Sequence, residues 1–153
     1  MPTPQPRSAN PHAAKAAPPT HRDFENRTDA TILLVDDDAA VRESLRRVLR
    51  TEGWSVISAA SGEEALEYLL THRPDLMITD LSMAAVSGWD LMFHENIQRP
   101  ELPIFVITAL PLPVTGGADK FAHEFFPKPL DLEALLAAVQ RYIGNARSLA
   151  LRA

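Results

Sequence analysis

Acidic, hydroxyl and ammonium side chains stand directly behind short apolar runs, and those positions define the chemistry open to this chain. Asp36-Asp37-Asp38 follows Ile32-Leu33-Leu34-Val35, and Asp80 follows Leu76-Met77-Ile78-Thr79. Thr108 follows Ile104-Phe105-Val106-Ile107, and Lys128 stands just past the run from Glu124 to Phe126. Carboxylates brought together resist joint ionisation unless a cation neutralises them. An oxygen-only ligand set without His or Cys selects a hard ion, and two or three carboxylates that leave room for water suit Mg2+. A hydroxyl and an ammonium beside a metal-bound carboxylate complement a phosphoryl group. An aspartate can itself attack phosphorus and become an acyl phosphate.

That chemistry requires the apolar runs to lie side by side and to point the same way. The runs, with Trp54-Ser55-Val56-Ile57 among them, are nearly continuous in hydrophobicity, as strands covered on both faces are. Amphipathic stretches separate them. Val41, Leu45, Val48 and Leu49 recur at helical spacing, with Arg42, Glu43, Arg46, Arg47 and Arg50 facing away. Asp38 is placed to cap that helix and Gly53 to end it. Ser61-x-x-Glu64 reads as a capping box for a second helix, limited by Pro74. A third helix is predicted from about Gly88 to Gln98, and a last one after Asp131 carries Leu132, Leu135, Leu136, Val139 and Ile143 on one side. Strand–helix alternation with short connections predicts right-handed crossovers and a doubly wound parallel α/β sheet. Ligands of such sheets sit outside the carboxyl ends of the strands, where all the candidate residues stand.

The 153 residues allow one domain with a real core. The absence of cysteine excludes a disulfide scaffold and thiol chemistry, and it fits a reducing, cytoplasmic setting. Residues 1–30 hold six of the 13 prolines and few large apolar side chains, so a disordered N-terminal tail is expected there. The tail carries four basic and three acidic residues, against eleven and seventeen in 31–153, which makes the folded part acidic. Such a balance argues against sequence-independent nucleic-acid binding. No apolar run reaches the roughly 18 residues of a membrane span.

Five motifs in order then carry a resemblance. ILLVDDD (32–38) with VRESL after it, DLSM (80–83) with Gly88 beyond, ITA (107–109) and FFPKP (125–129) resemble the receiver domain of two-component response regulators. The likeness covers about Thr31 to Ile143, taken as the domain, with 144–153 as a C-terminal tail. It implies a flavodoxin-like (βα)5 sheet of strand order 2-1-3-4-5. It implies Asp80 as phosphoacceptor, and Asp37 and Asp80 as Mg2+ ligands, with Asp36 helping through water and the backbone carbonyl of Ser82 completing the set. Lys128 would contact the phosphoryl group, Thr108 would move toward it, and Phe125 matches the aromatic switch position. The Lys128–Pro129 bond is expected to be cis. The sequence departs from the pattern at Ala84, where proline is common, and at Phe121-Ala122. Leu110-Pro111-Leu112-Pro113-Val114-Thr115-Gly116-Gly117 opposes a regular fourth helix, between strands four and five, so an irregular or shortened one is expected.

Plainer readings stand beside these. Asp38 reads as a helix cap before a ligand. His72, His94 and His123 have no mutual metal spacing and read as surface residues. The absence of a glycine-rich phosphate loop leaves no support for a nucleotide site. With ten residues after Ile143, the expectation is a single-domain response regulator with no DNA-binding domain, monomeric or weakly dimeric. It would be no enzyme in the ordinary sense, but would catalyse its own phosphorylation and slow dephosphorylation. Its partners would be a sensor histidine kinase or histidine phosphotransfer protein and a downstream protein target. One rival is a receiver-like binding module that is never phosphorylated. Another is an aspartyl-phosphate hydrolase, since Asp36-x-Asp38 resembles the haloacid-dehalogenase opening, although Asp131 and Glu133 merely open the last helix.

Overall fold

Five short apolar runs become five parallel strands, alternating with helices, in a computed structural model that describes residues 30–83, 87–110 and 120–144. The elements are β1 (Thr31–Val35), α1 (Ala39–Thr51), β2 (Ser55–Ala59), α2 (Gly62–Thr71), β3 (Leu76–Asp80), α3 (Gly88–Gln98), β4 (Ile104–Thr108), β5 (Glu124–Pro127) and α4 (Leu132–Ile143). The sheet order is β2-β1-β3-β4-β5, as the motifs implied. The order reverses at β1, whose neighbours are β2 and β3. The expected irregular helix between β4 and β5 falls on 111–119, and both predicted tails fall largely on 1–29 and 145–153, outside the described residues.

Alternation along the strands divides the core in two, because successive side chains point to opposite faces. Ile32, Leu34, Ile78 and Phe105 join Leu45 and Leu49 of α1 and Leu135 and Val139 of α4 on one face. Leu33, Val35, Met77 and Val106 join Ala65 and Leu69 of α2 and Leu91 of α3 on the other. β1, β3 and β4 are buried almost throughout. β2 is not: Ser55, Ile57 and Ser58 are exposed, and Trp54 precedes the strand instead of opening it. A strand at the sheet edge has one neighbour instead of two, so the expectation of burial on both faces fails there.

The helix boundaries follow their caps. Asp38 caps α1 by accepting from the N–H groups of Ala40 and Val41. Gly53 follows its end at φ 102°, a conformation that favours glycine. Ser61 accepts from Glu64 N, but Glu64 returns its bond to Ala60 N and not to the cap residue itself. The reciprocal capping box forms instead on α3, between Ser87 and Asp90. Asp131 caps α4 through Ala134 N.

One close approach positions the end of β3. A Cβ built on Gly88 would stand 2.0 Å from the carbonyl oxygen of Asp80. The start of α3 therefore rests directly on the Asp80 backbone, and only glycine leaves room for it. Gly88→Ala is expected to lower stability by about 2 kcal/mol in urea unfolding, the scale of forced overpacking. An unchanged midpoint and slope would show that the helix can move away freely.

Candidate acidic phosphoryl site

The carboxyl ends of β1 and β3 are adjacent, since Val35 pairs with Thr79 in the sheet register. The residues that follow this rung, Asp36 and Asp80, are thereby neighbours, although 44 positions separate them in sequence. Carboxylate oxygens of Asp36, Asp37 and Asp80 lie within 4.8 Å of one another. Asp36 and Asp80 are buried, at 3% and 6% exposure, while Asp37 is exposed. The ammonium of Lys128, carried past the end of β5, donates to Oδ2 of Asp80 at 2.7 Å. The other oxygen, Oδ1, accepts from the N–H of Ser82 at 2.9 Å. Ser82, named for its carbonyl, thus meets Asp80 through its N–H.

Thr108 is fully buried at the end of β4, one residue past the rung that pairs Asp80 with Ile107. Its hydroxyl accepts from the N–H of Leu110 at 3.0 Å, and its carbonyl accepts from the N–H of Lys128 at 2.8 Å. Phe125 pairs with Val106 in β5 and packs, half-buried, against the core face that includes Val106 and Leu102. The Lys128–Pro129 peptide bond is cis, as expected. Asp38 serves as the helix cap and not as a member of the cluster. Asp131 is committed to capping α4, which removes support from the hydrolase reading.

Burial, the largest influence, raises the pKa of Asp36 above the ordinary aspartate value, and the neighbouring charges of Asp80 and Asp37 add to it. The hydrogen bond from the Asp38 N–H and the charge of Lys128 act the other way and only partly compensate. Partial burial works against the Lys128 ammonium. The hydrogen bond to Asp80 and the charges of Asp80, Asp36 and Asp37 outweigh it, so Lys128 titrates above the ordinary lysine value. Three convergent carboxylates with one cation have the donor chemistry of a divalent hard-ion site, and Asp36, Asp37 and Asp80 are the residues that would hold the ion.

Two groups were misplaced or missed by sequence reasoning. Arg42 does not face away. Its guanidinium reaches back to donate to the carbonyl oxygen of Asp36 at 2.7 Å. Its place on the first turn of α1, four residues after the cap, was the available signal. Glu95 is buried at 2% exposure in α3, with Oε1 on Nδ1 of His94 at 2.9 Å and Oε2 3.8 Å from Nε of Arg99. The Arg99 guanidinium in turn donates to the carbonyls of Leu69 and His72, closing the end of α2. The Glu95–Arg99 spacing of four was legible, but its burial was not.

The Asp36 shift has a testable consequence. The unfolded chain ionises this group at lower pH than the folded one, so without metal the fold loses stability as pH rises from the ordinary aspartate value through the raised one. Asp36→Asn retains an acceptor for the Asp38 N–H and removes the charge. It is expected to stabilise the metal-free protein by roughly 1 kcal/mol at neutral pH. In thermal or urea melts across pH, that gain should shrink as pH falls through the raised value and be gone below the ordinary aspartate value. A gain that persists in strong acid would place its origin elsewhere.

Comparison with known proteins agrees with this geometry. The family model described as response regulator receiver domain matches residues 32–140. The response regulator MprA of Mycolicibacterium vanbaalenii is 41% identical over 111 residues, covering 71% of this chain and 48% of that protein. The chain thus spans about half the length of the curated relatives it matches. Among solved structures, a response regulator receiver protein from Pseudomonas putida is 33% identical with a TM-score of 0.69, covering 74% of this chain and 97% of its own. The response regulator TrrA of Thermotoga maritima, solved in complex with Mg(2+)-BeF, is 28% identical with a TM-score of 0.70, covering 74% of this chain and 99% of its own. Family, relatives and fold all coincide on the segment that builds the acidic pocket, and the chain belongs to the response regulator receiver domain family.

Proposed function

We propose that Asp80 accepts a phosphoryl group from a phosphohistidine donor, with Mg2+ as cofactor, and that the chain passes this signal on through its surface. The observation that carries the reading is the Lys128 ammonium 2.7 Å from Asp80 Oδ2, beside the convergent oxygens of Asp36 and Asp37. Asp36, Asp37 and Asp80 would hold Mg2+, which supplies positive charge against the phosphoryl oxygens when bound. The relative solved with Mg(2+)-BeF supports that assignment of cofactor.

In transfer, a carboxylate oxygen of Asp80 forms a bond to phosphorus as the bond from phosphorus to the donor nitrogen breaks. The donor leaves as imidazole, and Asp80 becomes an acyl phosphate. Lys128, held as an ammonium by the surrounding carboxylates, stays charged through the neutral range and neutralises phosphoryl oxygens. Thr108, at the end of β4, is the hydroxyl that would turn to the phosphorylated side chain, with Phe125 following it. Water attack on phosphorus later returns the carboxylate and releases inorganic phosphate, so the chain resets itself without a separate substrate.

The donor's approach is also supported by the surface. Asp38 leads directly into α1 and Lys128 into the turn before α4, and these continuations wall an apolar groove lined by Val41, Leu45, Val48, Leu130 and Leu132. Val41 and Leu132 are among the exposed large apolar side chains. A sensor kinase or phosphotransfer protein docked there would present its histidine to Asp80. Among the described residues, no helix is long and apolar enough to cross a membrane. A cytoplasmic signalling role and a downstream protein target complete the proposal.

Two experiments test it. Incubated with Mg2+ and acetyl phosphate, the wild type is expected to gain the mass of one phosphoryl group, and Asp80→Asn to gain none. An unmodified wild type would overturn the reading, and label on Asp80→Asn would move the acceptor elsewhere. Val41→Glu is expected to slow transfer from a phosphorylated histidine donor by about tenfold or more through loss of apolar docking. Its labelling by acetyl phosphate should be unchanged. Equal slowing with both donors would place Val41 in the pocket's integrity and not in docking.

A further inference from the structure

We propose that Arg42 is a positioning residue for the acidic pocket, setting its affinity for the divalent ion by fixing the peptide between Asp36 and Asp37. This rests on the reading of Asp36, Asp37 and Asp80 as the ion's ligands. Asp36 lies just past the end of β1, where the chain leaves the sheet. Its N–H still pairs with the carbonyl of Ala59 at 3.2 Å. Its own carbonyl is met by the Arg42 guanidinium at 2.7 Å. A buried carbonyl left without a donor is costly, so this contact has a structural reason of its own.

The functional consequence follows from which peptide is held. The carbonyl of Asp36 and the N–H of Asp37 belong to one planar unit, so a donor locked on the first fixes the plane that carries the second. Oδ1 of Asp36 is independently tied to the Asp38 N–H at 2.9 Å, and Asp38 caps α1. The N–H of Arg42 bonds the carbonyl of Asp38 at 2.9 Å. Arg42 therefore closes a ring of contacts that runs from the first turn of α1 back to the strand end. Within it, the exposed Asp37 is the member of the cluster most in need of an imposed direction, since burial does not restrict it.

A cation this close to an acidic cluster has two possible effects of opposite sign. As a counter-charge it would oppose a divalent ion, and its removal would tighten binding. As a positioning group it supports the ligand geometry, and its removal would weaken binding. Partners that orient metal ligands from behind typically govern affinity by 10–100-fold. The contact is to a carbonyl and not to a carboxylate, which favours positioning. Arginine suits the task because its planar donor fork is pre-organised, whereas lysine offers a more mobile ammonium.

The test is Mg2+ titration by calorimetry on the full chain for wild type, Arg42→Met and Arg42→Lys, with acetyl phosphate labelling rates at limiting and saturating Mg2+. Arg42→Met keeps much of the side-chain stem and removes the donors. Its Mg2+ affinity is expected to fall about tenfold, with Arg42→Lys between it and wild type. The labelling rate should fall at limiting Mg2+ and return to within about twofold of wild type at saturation, a split that general loss of structure would not produce. Unchanged or tighter binding in a folded Arg42→Met overturns the proposal. If Arg42→Met does not fold, wild-type affinity in a folded Arg42→Lys equally overturns it, and weakened affinity there supports it. A wild type that binds no Mg2+ overturns the underlying metal reading and this inference with it.

Discussion

Three carboxylates within 4.8 Å of one another repel, and much of the architecture serves to hold them together despite it. Two of the three are buried, which removes the water that would otherwise screen them and raises the Asp36 pKa. The compensation comes from fixed donors. Lys128 and the Ser82 N–H take the two oxygens of Asp80, and the Asp38 N–H takes one oxygen of Asp36. A pocket built this way is short of positive charge by design of its residue types. That shortage is the physical basis for expecting a divalent cation and a phosphoryl group to enter together.

The sheet makes such a pocket possible by being parallel and by reversing its order at β1. Every strand delivers its carboxyl end to the same edge, so four of the five can place site residues there with no long loop to order. β1 supplies the acid pair, β3 the central carboxylate, β4 the hydroxyl and β5 the lysine. The two core layers on either side fix the strands against sliding, because a one-residue shift would exchange buried and outward faces. Gly88 adds a constraint of a different kind, with α3 resting on the Asp80 carbonyl so closely that no side chain fits.

Legibility in the sequence varied with the range of the interaction. Helix caps at Asp38, Ser61 and Asp131 were readable because the donor and acceptor are two or three residues apart. The strands were readable because apolar runs of β-branched residues need no partner to be recognised. The exposure of β2 was not, since Ile57 looks like core until the sheet order puts its strand on an edge, where Val56 keeps its contact with the core and Ile57 does not. Arg42 was assigned outward by helical periodicity, yet a long side chain on a first turn can fold back over the helix start. Glu95 sits in the same class, as a charged residue whose burial depends on how α3 packs against α2.

The residue types at the strand ends, the alternation that makes them strand ends, and the motifs that mark the family are determined by the chain itself, because each depends on local spacing. Their meeting is a different matter. That Asp80 stands beside Asp36 and not merely after its own strand follows from β3 pairing with β1, across a separation no local pattern encodes. The same holds for Lys128 on Asp80, 48 residues away, and for the direction in which Arg42 turns. Local sequence sets which side chains are offered, while sheet order and helix packing decide the distances between them, and electrostatic chemistry depends on those distances.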